Sequence, residues 1–161
     1  MTRRALILVG LGLALGVPAA LVAQKEYVLR RGEQVFLMLE PVDPRSLIEG
    51  DYMRLSYAVS NEVHRGNADP PGDGRLVLAL DAQRRASFAR FDDGGPLGPN
   101  EVRIRYRRRR GFVRIGSDAY YFQEGQREVY ATAKYGEVRL TGSGDAVLVG
   151  LRDADLKPLG R

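Results

Sequence analysis

The side chains best suited to chemistry are scarce in this chain. It has one histidine, His64, and no cysteine among 161 residues. The absence of cysteine excludes disulfides, cysteine nucleophiles and metal sites built on thiolates, and a single histidine excludes metal sites built on several histidines. The acids near His64 do not have the spacing of a calcium-binding EF-hand loop. We therefore predict no metal and no cofactor, and we expect His64 to be a solvated loop residue.

Serine and lysine are the residues that would permit an enzyme. A serine nucleophile can work with a lysine base whose pKa is lowered by burial, as in membrane-anchored peptidases of the signal-peptidase type. Lys134 is the candidate base, although it can equally be a solvated cation in the last turn of a helix. The candidate nucleophiles, none in a recognisable context, are Ser46, Ser56, Ser60 and Ser87. The sequence favours a non-enzymatic protein, with a membrane-anchored hydrolase as the alternative.

Arginine dominates the charge. The net charge is +5, with 25 Lys and Arg in total, of which only three are Lys. Alternation puts several arginines on one face of a strand and others in the adjoining turn, which predicts a contact with an anionic surface. The predicted contact residues are Arg103, Arg105, Arg107, Arg108, Arg109 and Arg110. The simpler interpretation is a solvated strand face whose Ile104, Tyr106 and Val113 pack inward.

The beginning of the chain indicates the compartment. Residues 5–23 contain no charge, and these 19 residues are close to the length that spans a bilayer as a helix. A cleaved signal peptide is one interpretation, because small residues near Ala23 offer cleavage points. The length favours a retained anchor, and Arg3 and Arg4 favour an N-terminus inside the cell. Both interpretations export residues 24–161, so we expect no nucleic-acid partner.

The exported part has the pattern of a β-rich domain. Residues 27–31, 35–39, 75–81, 84–91, 101–107, 111–115, 137–140 and 146–151 resemble strands between turn signals. Residues 44–49 and 126–135 are predicted to form a helical turn and a short helix, each ended by glycine. Residues 51–60 alternate as a strand, and residues 61–74 are predicted to be a polar loop. We predict an antiparallel sandwich or partly open barrel with one or two short helices, preceded by a transmembrane helix over residues 1–23.

Residues 50–57 read GDYMRLSY, the most distinctive stretch of the chain. Gly50 is predicted to end the helical turn, and Leu55 and Tyr57 to face the core. Tyr52 and Arg54 share the opposite side, so a binding site here would use them together with Asp51.

This stretch resembles the GDYXXLXY protein family. Its fixed positions are matched by Gly50, Asp51, Tyr52, Leu55 and Tyr57. The hydrophobic N-terminus and the C-terminal region from Tyr120 are also similar to that family. The resemblance implies a bacterial, membrane-associated accessory protein of uncharacterised function, found beside multi-pass membrane proteins. It implies no catalytic residue.

We therefore expect residues 24–161 to form one domain in the periplasm, anchored in the cytoplasmic membrane by residues 5–23. The predicted partner is a multi-pass membrane protein or an anionic component of the envelope. A cleaved, soluble periplasmic binding domain is a further alternative to the anchored accessory module and the hydrolase.

Overall fold

A computed structural model of the protein describes residues 2–40, 48–49, 52–66 and 72–160. It begins with one helix, α1 (Arg3–Arg31), which is long and apolar enough to cross a membrane. Two shorter helices follow, α2 (Ala58–Arg65) and α3 (Arg127–Tyr130). The strands are β1 (Glu33–Met38), β2 (Ile48–Glu49), β3 (Tyr52–Arg54), β4 (Gly74–Leu80), β5 (Arg85–Phe91), β6 (Glu101–Arg109), β7 (Phe112–Ile115), β8 (Ala119–Tyr121), β9 (Tyr135–Leu140) and β10 (Ala146–Arg152).

Seven strands form one curled sheet in the order β10-β9-β1-β5-β4-β6-β7, and β2-β3-β8 form a smaller one. Neighbouring strands are antiparallel except for the parallel pair β1 and β5. The large sheet curls until the β9–β10 turn reaches the free edge of β6, where the Arg105 amide donates to the Gly144 carbonyl over 2.8 Å. The predicted β-rich, partly open barrel with an apolar helix before it is confirmed.

The core lies inside this curl and against α2. Leu37, Leu76, Ile104 and Val138 are fully buried inside it. Side chains on β6 alternate between buried and exposed, as a strand with one face on the core requires. The hairpins β4–β5, β6–β7 and β9–β10 all form as the sequence predicted.

Two of the strand predictions were wrong. Residues 27–31 belong to α1, because good helix formers continue the helix beyond its apolar part and Arg30 pairs with Glu26 one turn earlier at 2.8 Å. The strand predicted over residues 51–60 ends at Arg54. Residues 58–65 form α2, because Val59 and Val63 lie one turn apart and both are buried.

The two helix predictions also need correction. Residues 44–47 lie outside the described part, and Ile48–Glu49 pairs with β3 as a strand instead of continuing a helical turn. The helix predicted over residues 126–135 is limited to α3. Its C-terminal part is taken by the sheet, where the Lys134 amide donates to the Arg152 carbonyl and Tyr135 begins β9.

Candidate functional site

Tyr57 joins the small sheet, α2 and the large sheet. It is 3 % exposed, and its hydroxyl donates to the Ser117 carbonyl over 3.1 Å. Burial raises the pKa of its phenol well above the ordinary range, and the negative charge of Asp118 raises it further. A Cβ on Gly136 would lie 3.2 Å from the Tyr57 ring, so Gly136 lets β9 pack closely against this ring. Tyr57 is therefore mainly a structural residue, and it also belongs to the lining of a cleft on this side of the domain.

The outer side of the small sheet carries two tyrosines and an arginine, which we name the tyrosine face (Tyr52, Arg54 and Tyr121). Tyr52 and Tyr121 are partners across β3 and β8, with ring centroids 5.5 Å apart. Tyr121 is 75 % exposed, and Arg54 is also exposed. Tyr and Arg are the residue types that most often carry binding energy at protein interfaces.

A cleft of about 460 Å³, the motif cleft, adjoins this face. Its walls come from the segment after β3, from α2 and from β7, and they include Arg54, Asn61, Phe112, Arg114 and Asp118. Phe112 is 54 % exposed, and its ring lies 5.1 Å from that of His64. His64 is thus part of α2 and packs on an aromatic ring; the prediction of a loop residue was wrong.

The arginines of β6 and its turn have different surroundings. Arg103 is largely covered: its Nε donates to Asp92 Oδ2 over 3.0 Å, and its Nη2 donates to the Gly95 carbonyl. Arg105 lies 3.4 Å from Asp145, and Arg109 lies 3.8 Å from Asp73. The Arg108 amide donates to Asp73.

Arg110 and Gly111 form the turn between β6 and β7. Both have positive φ, the requirement of a tight two-residue hairpin turn.

A second cleft, of about 360 Å³, brings α1 and the arginines together. We name it the arginine cleft, and its charged lining residues are Lys25, Arg105, Arg107, Arg109, Arg114, Asp118 and Asp145. Sequence reasoning did not place Lys25 or Arg114 in this site. Arg114 follows from the alternation of β7 and its pairing with β6, whereas Lys25 is 80 residues distant from Arg105 and reaches the cleft only through the fold.

Comparison with known proteins gives one result for the chain as a whole. The family model described as GDYXXLXY protein matches residues 14–151, most of the sequence. The chain belongs to the GDYXXLXY protein family. No curated protein and no solved structure matches it.

The GDYXXLXY motif divides into outward and inward residues in the structure. Gly50 and Asp51 lie outside the described residues. Tyr52 faces outward beside Tyr121, whereas Tyr57 is buried. Leu55 packs against the core, and its amide donates to the Asp118 carbonyl over 2.9 Å. The described part of the motif thus anchors the small sheet and places Tyr52, with Arg54, on its outer side, while Leu55 and Ser56 are partly buried.

The residues considered for catalysis have other contacts. Lys134 is exposed, and among the described residues its side chain makes no hydrogen bond to a serine. Ser56 accepts a hydrogen bond from Asn61, and Ser46 lies outside the described residues. Glu137 is buried on β9 in an ion pair with Arg152, and its other oxygen accepts from Gln34 at 2.7 Å. Neither Glu137 nor Glu124 lines the motif cleft with Arg54.

Proposed function

We propose that this GDYXXLXY protein is a membrane-anchored bacterial domain on the outer side of the cytoplasmic membrane. In this proposal residues 1–23 are retained as the anchor, and residues 24–161 form a non-enzymatic accessory module of a multi-pass membrane protein. Arg3 and Arg4 lie at the cytoplasmic end of α1.

The observation that carries the proposal is the direct connection between α1 and the sheet. The helix continues past its apolar run to Arg31, and Val28, in its last turn, is 2 % exposed. Gly32 follows at once, and its amide donates to the Val28 carbonyl over 2.8 Å before β1 begins at Glu33. No linker separates the helix from the domain, so a helix in the bilayer holds the domain against the membrane surface. Such a position suits contact with the exposed loops of another membrane protein.

The tyrosine face supports a protein partner. Tyr52 and Tyr121 present rigid amphipathic rings that lose little entropy on binding, and Arg54 adds five donors in a fixed geometry. Among the described residues Arg54 makes no ion pair, so its guanidinium is available to a carboxylate of the partner. Phe112 extends the apolar surface into the motif cleft. Asp51, predicted from the sequence to act with these residues, is included in the proposed contact.

Co-purification tests this function. The full chain, carrying a C-terminal tag, is expressed in its native host, and membranes are solubilised in a mild detergent. We expect one multi-pass protein to be recovered in stoichiometric amounts. Tyr121→Ala and Arg54→Ala should each weaken its capture by about thirtyfold, the loss typical of an interface hot spot.

Arg85→Ala is the matched control, because Arg85 is a partly exposed arginine on β5 and lines neither cleft. Its capture of the partner should equal that of the wild type. Recovery of no multi-pass protein, or equal losses in all three variants, would contradict the proposal. N-terminal sequencing of the native protein separates the anchored form from a cleaved one, whose N-terminus would lie near Gln24.

A further inference from the structure

The geometry points to the arginine cleft as a binding site for the phosphate headgroup of an anionic phospholipid in the membrane that holds α1. This inference rests on the anchoring part of the proposed function and adds a specific ligand class to it.

The arginine cleft has an excess of positive charge in a small space. Among the described residues, five cationic side chains and two carboxylates line the cleft. Asp118 is engaged by Arg114 at 2.8 Å, and Asp145 lies 3.4 Å from Arg105. Lys25 and Arg107 make no ion pair within the described part of the chain. The cleft therefore has at least two uncompensated positive charges, enough to hold a phosphodiester or a doubly charged headgroup.

Like charges lie opposite each other on neighbouring strands at this cleft. Arg107 lies directly opposite Arg114 on β7, and both residues line the arginine cleft. Like charges at such positions destabilise a sheet. A bound anion between these side chains would relieve the repulsion. The guanidinium groups of Arg107 and Arg114 and the ammonium group of Lys25 also provide donors for hydrogen bonds to phosphate oxygens.

The position of Lys25 on α1 sets the depth of the cleft relative to the bilayer. Lys25 is two residues beyond the end of the apolar run, which is about 3 Å along a helix axis. It lies where α1 leaves the hydrocarbon, at the level of the lipid headgroups. The other basic residues share the cleft with Lys25, so they lie close to the same layer. A phospholipid of the surrounding membrane is therefore the anion nearest to this site.

Lipid titration of the full-length chain tests the inference. The protein is purified in a neutral detergent and titrated with dioctanoyl phosphatidylglycerol, with dioctanoyl phosphatidylcholine and with inorganic phosphate, each followed by native mass spectrometry and calorimetry. We expect phosphatidylglycerol to bind in a one-to-one complex. Phosphatidylcholine and inorganic phosphate should bind at least tenfold more weakly, because the first has no net charge and the second does not share the detergent phase with α1.

Three variants identify the site. Arg107→Gln and Lys25→Gln, on different elements, should each weaken phosphatidylglycerol binding by about fivefold. Arg110→Gln is the matched control: Arg110 is among the contact residues predicted from the sequence, but it does not line the cleft, so loss of this charge from the same hairpin should leave the affinity unchanged. Glutamine is no more strained than arginine at its positive φ.

Several results would overturn the inference. Equal binding of both lipids would mean that the chain contacts lipid without selecting the charge of its headgroup. An equal loss of affinity in Arg110→Gln would mean that binding depends only on the overall positive charge of the hairpin. Binding of inorganic phosphate as tight as that of phosphatidylglycerol would assign the cleft to a soluble anion, and binding of neither would leave an acidic protein segment as its ligand. The titration needs no protein partner, so a failed co-purification and a failed lipid titration are separate outcomes.

Discussion

Arg107 and Arg114 lie directly opposite each other on neighbouring antiparallel strands, and within the part of the chain that the structure describes only Arg114 has a carboxylate partner, Asp118 at 2.8 Å. A fold that keeps two guanidinium groups in register without an acid between them loses stability at that position. This cost is expected where side chains are arranged for a ligand instead of for the fold. The pair therefore connects the stability of the β6–β7 hairpin to the proposed site.

Replacing Arg107 with glutamine should stabilise the protein in the absence of lipid. Removal of the repulsion is expected to raise the free energy of unfolding by about 0.5 kcal/mol at low ionic strength, and the gain should shrink as salt screens the charges. Urea unfolding of the full chain in neutral detergent, followed by tyrosine fluorescence, measures the change. Arg114→Gln is the control: it also leaves Asp118 without its partner, so it should give no gain. A less stable Arg107→Gln variant would contradict the account.

Tyr57 should make the protein sensitive to alkali. Because burial raises the pKa of Tyr57, the unfolded chain releases this proton above about pH 10 and the folded chain retains it. Folding stability is therefore lost as the pH rises above about 10. Tyr57→Phe should cost about 1 kcal/mol at neutral pH through the lost hydrogen bond to Ser117, and should make the alkaline decline shallower. Unfolding curves at a series of pH values test this.

The exposed Tyr121 provides the control for the alkaline experiment. Tyr121→Phe removes a hydroxyl from a side chain that is 75 % exposed, so its unfolding curves should match those of the wild type. Part of the slope should persist in Tyr57→Phe, because burial also raises the pKa of Tyr106. An unchanged slope in Tyr57→Phe would show that Tyr57 ionises in the folded protein.

The sequence predicted the strands where local pattern and packing agree. Residues 101–107 alternate between charged and apolar side chains, and the corresponding part of β6 alternates in exposure from Ile104 to Arg107. Residues 58–65 were missed because Val59 continues the alternation of residues 51–60, which favoured a strand, and Val63 stands among polar residues that resemble a loop. The inward position of Leu55 and Tyr57 was predicted correctly from the alternation of the motif: Tyr57 is buried, and Leu55 packs against the core.

The sites were less predictable because they depend on contacts between distant parts of the chain. Arg103 has the same place in the alternation as Arg105, yet it is held by Asp92 on the other side of a loop. Tyr121 joins the tyrosine face only through the pairing of β3 with β8. Nothing local to either residue indicates these partners, so tertiary structure decides which charges remain available.

Asp92 should make a large contribution to stability against acid. Its carboxylate is 4 % exposed and accepts from Arg103 Nε and from the Gly94 amide at 3.1 Å. Burial alone would raise the pKa of the Asp92 carboxyl, but the Arg103 hydrogen bond and the Gly94 amide hold it below the ordinary value. The contribution is thus present above about pH 4 and is lost as the pH falls through the lower folded pKa.

Asp92→Asn should lower the free energy of unfolding by roughly 2 kcal/mol at pH 7, because Arg103 loses its charged partner. The variant should also lose less stability than the wild type between pH 4 and acid unfolding. Asp155→Asn is the control, because this carboxylate is 73 % exposed and its ion pair with Lys157 is a surface one. A variant of Asp92 as stable as the wild type would show that the Arg103 ion pair is not important for the fold.

Gly32 should be required for the direct connection between α1 and the sheet. A Cβ at this position would lie 2.5 Å from the Val28 carbonyl oxygen and 2.9 Å from the Leu140 amide nitrogen, and both are backbone atoms that cannot rotate away. Gly32→Ala should therefore lower the free energy of unfolding by roughly 2 kcal/mol and loosen the contact of Val28 with the core. Gly142→Ala, where a Cβ meets nothing within 4 Å, should be neutral. Thermal unfolding measures stability, and hydrogen exchange over residues 24–40 measures the junction; unchanged exchange in Gly32→Ala would contradict a rigid connection between anchor and domain.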